Sequence, residues 1–169
     1  MSTGLLDIRA ARPSDATALS QVHDESWTTA YRGILPGVVL EKMLARRGPA
    51  YWQRVARRSS GGTLVLIFDR VIAGYATLGP NRTRRLTYGG EIYEIYLRPS
   101  HQGVGLGSRL FQEARRTLSA NRLDGLIVWA LDDNQPACAF YEALGGVPVA
   151  RAVETFGNRR LGKTAFAWR

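Results

Sequence analysis

From Val104 to Asn121 an apolar residue recurs at every fourth position, Leu106, Leu110, Ala114 and Leu118, with arginines and glutamate between them. That spacing stacks side chains on one face of a 3.6-residue turn and predicts an amphipathic helix. A helical period also runs through Leu19, Val22, Trp27 and Ala30, behind Pro13 and a candidate N-cap at Ser14. After the turn YRGILPG, a second helical region is expected from about Val38 to Arg58, interrupted near Gly48-Pro49. Elsewhere the pattern shortens to that of strands. LDIRAAR at 6–12 opens the chain as a strand. GTLVLIFDR and VIAGYATLGP predict a hairpin with a tight connection at Asp69-Arg70, and GGEIYEIYLRP a longer strand rich in Ile and Tyr. LIVWALDD is apolar throughout and reads as a buried strand. Asn134 to Leu144 is a short helix closed by Gly145-Gly146, and VPVARAVETFG with RRLGKTAFAWR forms a closing hairpin. The order β-α-α-β-β-β-α-β-α-β-β predicts an α/β domain spanning residues 1–169, with a mixed sheet of about seven strands and about four helices.

Composition narrows the chemistry. With 169 residues, 45% hydrophobic and 22% charged, the chain is globular, and at that size a domain buries roughly 70% of its unfolded surface. One cysteine, Cys138, excludes an internal disulfide, and two histidines, His23 and His101, supply no zinc-type cluster, so no metal is expected. The start MSTGLLDIRA has no leader pattern and the longest apolar run, LVLIF, is too short to span a bilayer, which predicts a cytoplasmic protein without a membrane partner. The net charge of +9 attracts anions, but 21 of the 23 basic residues are arginines scattered along the chain. Spread out rather than gathered in one tail, they do not by themselves point to nucleic acid, and a nucleic-acid partner is not expected.

Residues 102–107, QGVGLG, place three glycines where a strand hands over to a helix. Glycine lets a ligand approach the backbone closely, and the free N–H groups of a helix start favour an anion, so a phosphate-bearing ligand is the natural guest. The dinucleotide fingerprint G-x-G-x-x-G fails, because Ser108 or Leu110 stands where its third glycine belongs. GNRRLGKT at 157–164 fits the P-loop expression, yet a P-loop opens a helix and TAFAWR is strand-like, so GNRR is read as a hairpin turn.

What remains is Q-x-x-G-x-G, Gln102 to Gly107, followed by N-x-x-A-x-x-F-Y-x-x-x-G at Asn134, Ala137, Phe140, Tyr141 and Gly145. Together with the strand GEIYEIYLRP before them, these segments resemble the GNAT superfamily of acetyl-CoA-dependent N-acetyltransferases, and the element order resembles it over the full length. The resemblance implies the GNAT fold and acetyl-CoA as cosubstrate. It implies a pyrophosphate held by the backbone of Gly103, Val104, Gly105, Gly107 and Ser108, and pantetheine paired along Ile95, Leu97 and Arg98. A free amide near Leu97 would face the thioester oxygen.

An amine with a lysine-like pKa is free base in only about one molecule per thousand at neutral pH, so a base or water relay is needed. Glu91, eleven positions before Gln102, sits where some family members keep a glutamate base. Strand alternation puts it on the face of Tyr93, Ile95 and Leu97, with Glu94, the second candidate, on the opposite face. Tyr141 occupies the family's usual acid position and, protonated at neutral pH, suits a departing thiolate. Cys138 lies one helical turn before it and is read as a buried, inert thiol. Trp27, Tyr31, Ile34 and Leu35, within the pattern W-x-x-x-Y-R-G-I-L-P, are candidates for an acceptor pocket. The leading expectation is acetyl transfer to a primary amine of a small molecule. The rivals are acetylation of a protein N-terminus or lysine, and a CoA-responsive or nucleic-acid-binding module without turnover. Homodimers are common in the family, so one is a further expectation. Arginines 82, 84 and 85, with 115 and 116, are candidates for the cofactor's ribose phosphate or are simply solvated.

Overall fold

The computed structural model describes residues 4–58 and 62–169. Its strands are β1 (Leu6–Ala10), β2 (Thr63–Phe68), β3 (Val71–Pro80), β4 (Gly90–Leu97), β5 (Leu126–Leu131), β6 (Val147–Phe156) and β7 (Arg159–Trp168). Its helices are α1 (Ala16–Tyr31), α2 (Gly37–Ala45), α3 (Pro49–Arg58), α4 (Leu106–Ala120) and α5 (Gln135–Ala143). There is one helix more than the sequence pattern suggested. Pro49 takes the first position of α3, where its missing N–H costs nothing, so the interruption at Gly48-Pro49 divides the expected long helix in two. At the front of α1 the cap is not Ser14 but Asp15. Residues 13–15 form a single 3-10 turn, and the Asp15 carboxylate accepts from the Arg12 amide at 2.7 Å and the Arg9 guanidinium at 2.8 Å.

The seven strands form one sheet in the order β1-β2-β3-β4-β5-β7-β6. Every neighbouring pair is antiparallel except β4 and β5. Asp69 and Arg70 connect β2 to β3 with φ of 49° and 69°, the left-handed pair of a tight hairpin turn. Gly157 turns β6 into β7, which puts Lys163 and Thr164 inside a strand and not at the head of a helix, as a P-loop would need. One core cluster joins α4 and α5 to a sheet face through Leu110, Phe111, Leu118, Ile92, Val128 and Tyr141. On the other face, Leu19 and Val22 of α1 and Trp52 of α3 pack against Val65 and Tyr75.

His23, on α1, lies wholly inside this second layer, with its ring 4.6 Å from Trp27 and 5.8 Å from Trp52 between centroids. Its Nε2 has no hydrogen-bond partner among the described residues. Burial, and then the nearby Arg47 charge, push its pKa down to about 3. As the pH falls below 6.5 the unfolded chain therefore takes up this proton and the folded one does not. His23 contributes its full stability above pH 6.5 and loses it from there down to about pH 3. We expect urea unfolding free energies to fall across this window by as much as about 1.4 kcal/mol per pH unit from this residue. The same series on His23→Leu should show that part of the slope gone.

Candidate active site

β3 and β4 do not pair residue for residue. Thr77 faces Glu94 and Leu78 faces Ile92, which leaves Tyr93 as an extra residue in β4. Such a bulge bends the strand and inverts its alternation. Ahead of it Ile92 points into the α4 core, and beyond it Ile95 and Leu97 do. Glu91, Tyr93, Glu94 and Tyr96 all line a cavity of about 630 Å³ on the other side. The expectation that Glu91 shares a face with Ile95 and Leu97, and that Glu94 opposes it, is therefore corrected: the two carboxylates face the same space.

β4 also parts from β5. The two strands pair in parallel only at Gly90↔Leu126 and Glu91↔Ile127 and then diverge, leaving the rest of β4 with a free edge. The Arg98 amide donates to Ala73 of β3 at 2.7 Å, so alternation turns the amides of Leu97 and Ile95 toward that free edge. The carbonyl of Leu97 accepts from Gln102 Nε2 at 3.1 Å, which ties the glycine turn to the end of β4.

In that turn, Gly103 and Gly105 have φ of 80° and 84°, which side chains with a Cβ rarely adopt. Gly107 has a different reason. A Cβ there would stand 3.1 Å from the Phe140 ring, so the glycine lets α4 and α5 approach. Gly105 caps α4 without a side-chain hydrogen bond, and among the described residues the amides of 103–108 donate to no other group of the chain. A row of unpaired N–H groups at a helix start is a built anion site.

A groove of about 440 Å³ runs from this turn along the gap. Of the residues expected to hold a cofactor, Ile95, Leu97, Gln102, Gly103, Gly105 and Gly107 line it from one side. Ser108 continues that wall, and Asn134, Ala137, Phe140 and Tyr141 line the other. Asn134 caps α5, its Oδ1 accepting from the Ala137 amide at 3.4 Å. Two expected residues are placed elsewhere. The Val104 side chain is 69% exposed and only its backbone is in the turn. The Arg98 guanidinium is committed to the Ile72 carbonyl and Glu25, both within 2.9 Å. Of the acceptor candidates, Trp27, Tyr31 and Leu35 line the larger cavity, whereas Ile34 lines the groove. Arg82 reaches the larger cavity, and Arg115 and Arg116 are taken up by the Arg169 carbonyl and Glu113.

Among the described residues Tyr96 is the one that lines both spaces, and its hydroxyl meets that of Tyr31. The helix-like and strand-like periods that identified neighbouring residues carry no sign of this, because Tyr96 gains its position from the bulge. Burial first of all raises the phenols of Tyr31, Tyr96 and Tyr141 above the ordinary tyrosine value, so all three stay protonated near neutral pH. The side chain of Glu91 is 3% exposed and takes Arg82 through its amide (3.0 Å) and guanidinium (2.9 Å). Glu94 accepts from Arg47 and from Thr77 at 3.1 Å. Burial, followed by Asp132 and Glu142, raises the Cys138 thiol, the reverse of activation for a nucleophile. Among the described residues no group of acids, histidines and cysteine is arranged to hold a metal, and no helix is long and apolar enough to cross a membrane.

The chain is similar to known proteins over nearly its whole length. The model of the acetyltransferase (GNAT) family matches residues 20–146. The uncharacterized N-acetyltransferase YuaI of Bacillus subtilis strain 168 is 28% identical over 165 residues, covering 97% of this chain and 93% of the relative. The PaiA N-acetyltransferase of Thermoplasma acidophilum, solved with coenzyme A, superposes with a TM-score of 0.75 at 20% identity, over 96% of this chain and 98% of that one. YncA of Salmonella typhimurium, solved with acetyl-CoA, gives 0.70 at 22% identity, over 97% and 93%. Both share this fold.

Gly105→Ala forces a left-handed backbone onto an L side chain. Its unfolding free energy should drop by about 1–2 kcal/mol, read as a lower urea midpoint at an unchanged m-value.

Proposed function

The chain belongs to the acetyltransferase (GNAT) family and is an acetyl-CoA-dependent N-acetyltransferase, and from this premise we propose that its acceptor is a small-molecule primary amine, acetylated directly through a tetrahedral intermediate. The observation that carries this reading is the meeting of two spaces at Tyr96. The groove has the free amides and strand edge that a pyrophosphate and a pantetheine arm require, as acetyl-CoA bound to YncA would demand of a similar fold. The second space, about 630 Å³ with aromatic walls, is the size of small-molecule pockets rather than of a groove for a polypeptide.

Each residue's part derives from its chemistry. The amides of 103–108 bind the pyrophosphate, and Gln102 holds their loop against β4. The free edge at Ile95 and Leu97 orients the pantetheine, and the Leu97 amide donates to the carbonyl oxygen as it gains charge. Tyr141, neutral and buried, donates its proton to the departing sulfur. The ammonium proton leaves toward the carboxylates. Glu91 already takes three N–H contacts from Arg82, whereas Glu94 takes one from Arg47 and one from Thr77. A carboxylate has about four acceptor sites, so Glu94, two residues from Tyr96, has the more capacity left and is our choice for the base, reached directly or through water. The single free cysteine fits a reducing, cytoplasmic setting.

Tyr141→Phe should keep acetyl-CoA affinity, measured by calorimetry, and lower kcat by about two orders of magnitude. Glu94→Gln should lower kcat/KM by a similar factor in the same assay, with Glu91→Gln milder. Wild-type turnover by Tyr141→Phe in a thiol-release assay would remove the phenol from the mechanism.

A further inference from the structure

Among the described residues three ion pairs stand around the larger cavity, and they differ in how completely each charge is used. Arg82 and Glu91 are joined by backbone and side chain, with the carboxylate buried. Arg47 bonds Glu94 and lies over the Trp27 and Tyr51 rings at 5.0 and 5.3 Å. The third pair is loose. Lys163 Nζ is 3.7 Å from Glu154, beyond hydrogen-bonding distance, and Glu154 is 47% exposed. Lys163 rises from β7 opposite Leu131 of β5, with its ammonium 4.9 Å from the Trp129 ring. No hydrogen bond from its three donors to a described residue is present. Arg58, also on the lining, is exposed to solvent.

Among the described residues, the cavity thus presents two fixed, mutually neutralised pairs and one partly buried cation with bonding capacity to spare, between aromatic surfaces. This is unsuited to a polyamine. A second ammonium on the acceptor would meet four cations, Lys163, Arg47, Arg58 and Arg82, against three carboxylates, of which Glu91 and Glu94 already pair with arginines. An anionic group would meet the opposite situation: it could replace Glu154 at Lys163 and make the short, charge-assisted contact that Glu154 does not.

Resting on the reading of this cavity as the acceptor site, we propose that the acceptor is a zwitterion of the amino-acid type, its acid group bound by Lys163 and its apolar body against the aromatic walls. Its amine then points to the junction at Tyr96. Lys163 selects the acceptor class and takes no part in moving protons. Glu154 competes with the substrate for Lys163, so the two substitutions carry opposite signs.

The test compares phenylalanine with phenethylamine and methionine with 3-(methylthio)propylamine, following free CoA with a thiol reagent in the full chain. The acids should exceed their decarboxylated partners in kcat/KM by about tenfold, the effect of one charge-assisted contact. Because a neighbouring carboxylate also alters the amine's own acidity, the variants decide the matter. Lys163→Gln should abolish most of that ratio by raising KM for the acids, and Glu154→Gln should lower KM for the acids about threefold, a shift that mere structural damage would not produce. Calorimetry with acetyl-CoA checks that both variants are folded. A ratio that favours the decarboxylated amines, or one unmoved in Lys163→Gln, would overturn the assignment while leaving acetyl transfer to small amines intact. Absence of thiol release with every amine, despite acetyl-CoA binding, would overturn the small-molecule reading and this inference with it.

Discussion

Tyr93 has no ladder partner on β3, and the site is built around that mismatch. By adding a residue to β4 alone, the bulge rotates the rest of the strand by half a period. Ile95 and Leu97 enter the α4 core, and Glu94 and Tyr96 turn to the opposite side beside Glu91. The bulged strand also bends away from β5, which stays bound to β7 along its whole length from Leu126 to Leu131. A sheet with one open seam results, held on one side by the bulged β3–β4 ladder and on the other by β5–β7 pairing. The seam exposes backbone donors in the interior of the molecule, where a ligand with amides of its own is the proper partner.

The glycine turn completes the seam at one end. Gly103 and Gly105 bend the chain through left-handed backbone, Gly107 admits Phe140, and Gln102 fastens the loop to the Leu97 carbonyl. Three glycines in five positions thus answer two needs, conformation at the first two and close approach at the third. The unpaired amides at the head of α4 are the cost of this geometry, and an anion satisfies them.

Tyr96 stands between the two spaces of the interior. On one side lies the groove with its free backbone amides. On the other lies an aromatic chamber whose charges are grouped in pairs. Burial keeps the surrounding phenols protonated, so they act as donors and not as anions. Within the chamber the salt bridges are unequal in burial and length, so its charges are not equally free.

Most of the fold was legible from periodicity, because helices and strands that bury one face must repeat apolar residues at 3.6 or 2 positions. The hairpins, the amphipathic α4 and the short helix α5 all came from local rules, and the motif Gln102 to Gly107 marked a glycine turn into a helix start because that too is a local property. The division of α2 from α3 was visible as Gly48-Pro49 but not its consequence, and the role of Asp15 depended on Arg9 reaching it from another element. Side-chain facing in β4 was not legible. Alternation holds only while two strands stay in register, and the extra residue at Tyr93 is defined by its lack of a ladder partner on β3, a relation between strands that no single stretch of chain contains. For the same reason the sharing of one cavity by Glu91 and Glu94, the commitment of Arg98 to Glu25 and the loose hold of Glu154 on Lys163 belong to the tertiary structure. The linear order of residues determined which elements form and where a helix start leaves free amides, because both are local properties of the backbone, and packing alone decided which side chains those elements turn toward one another.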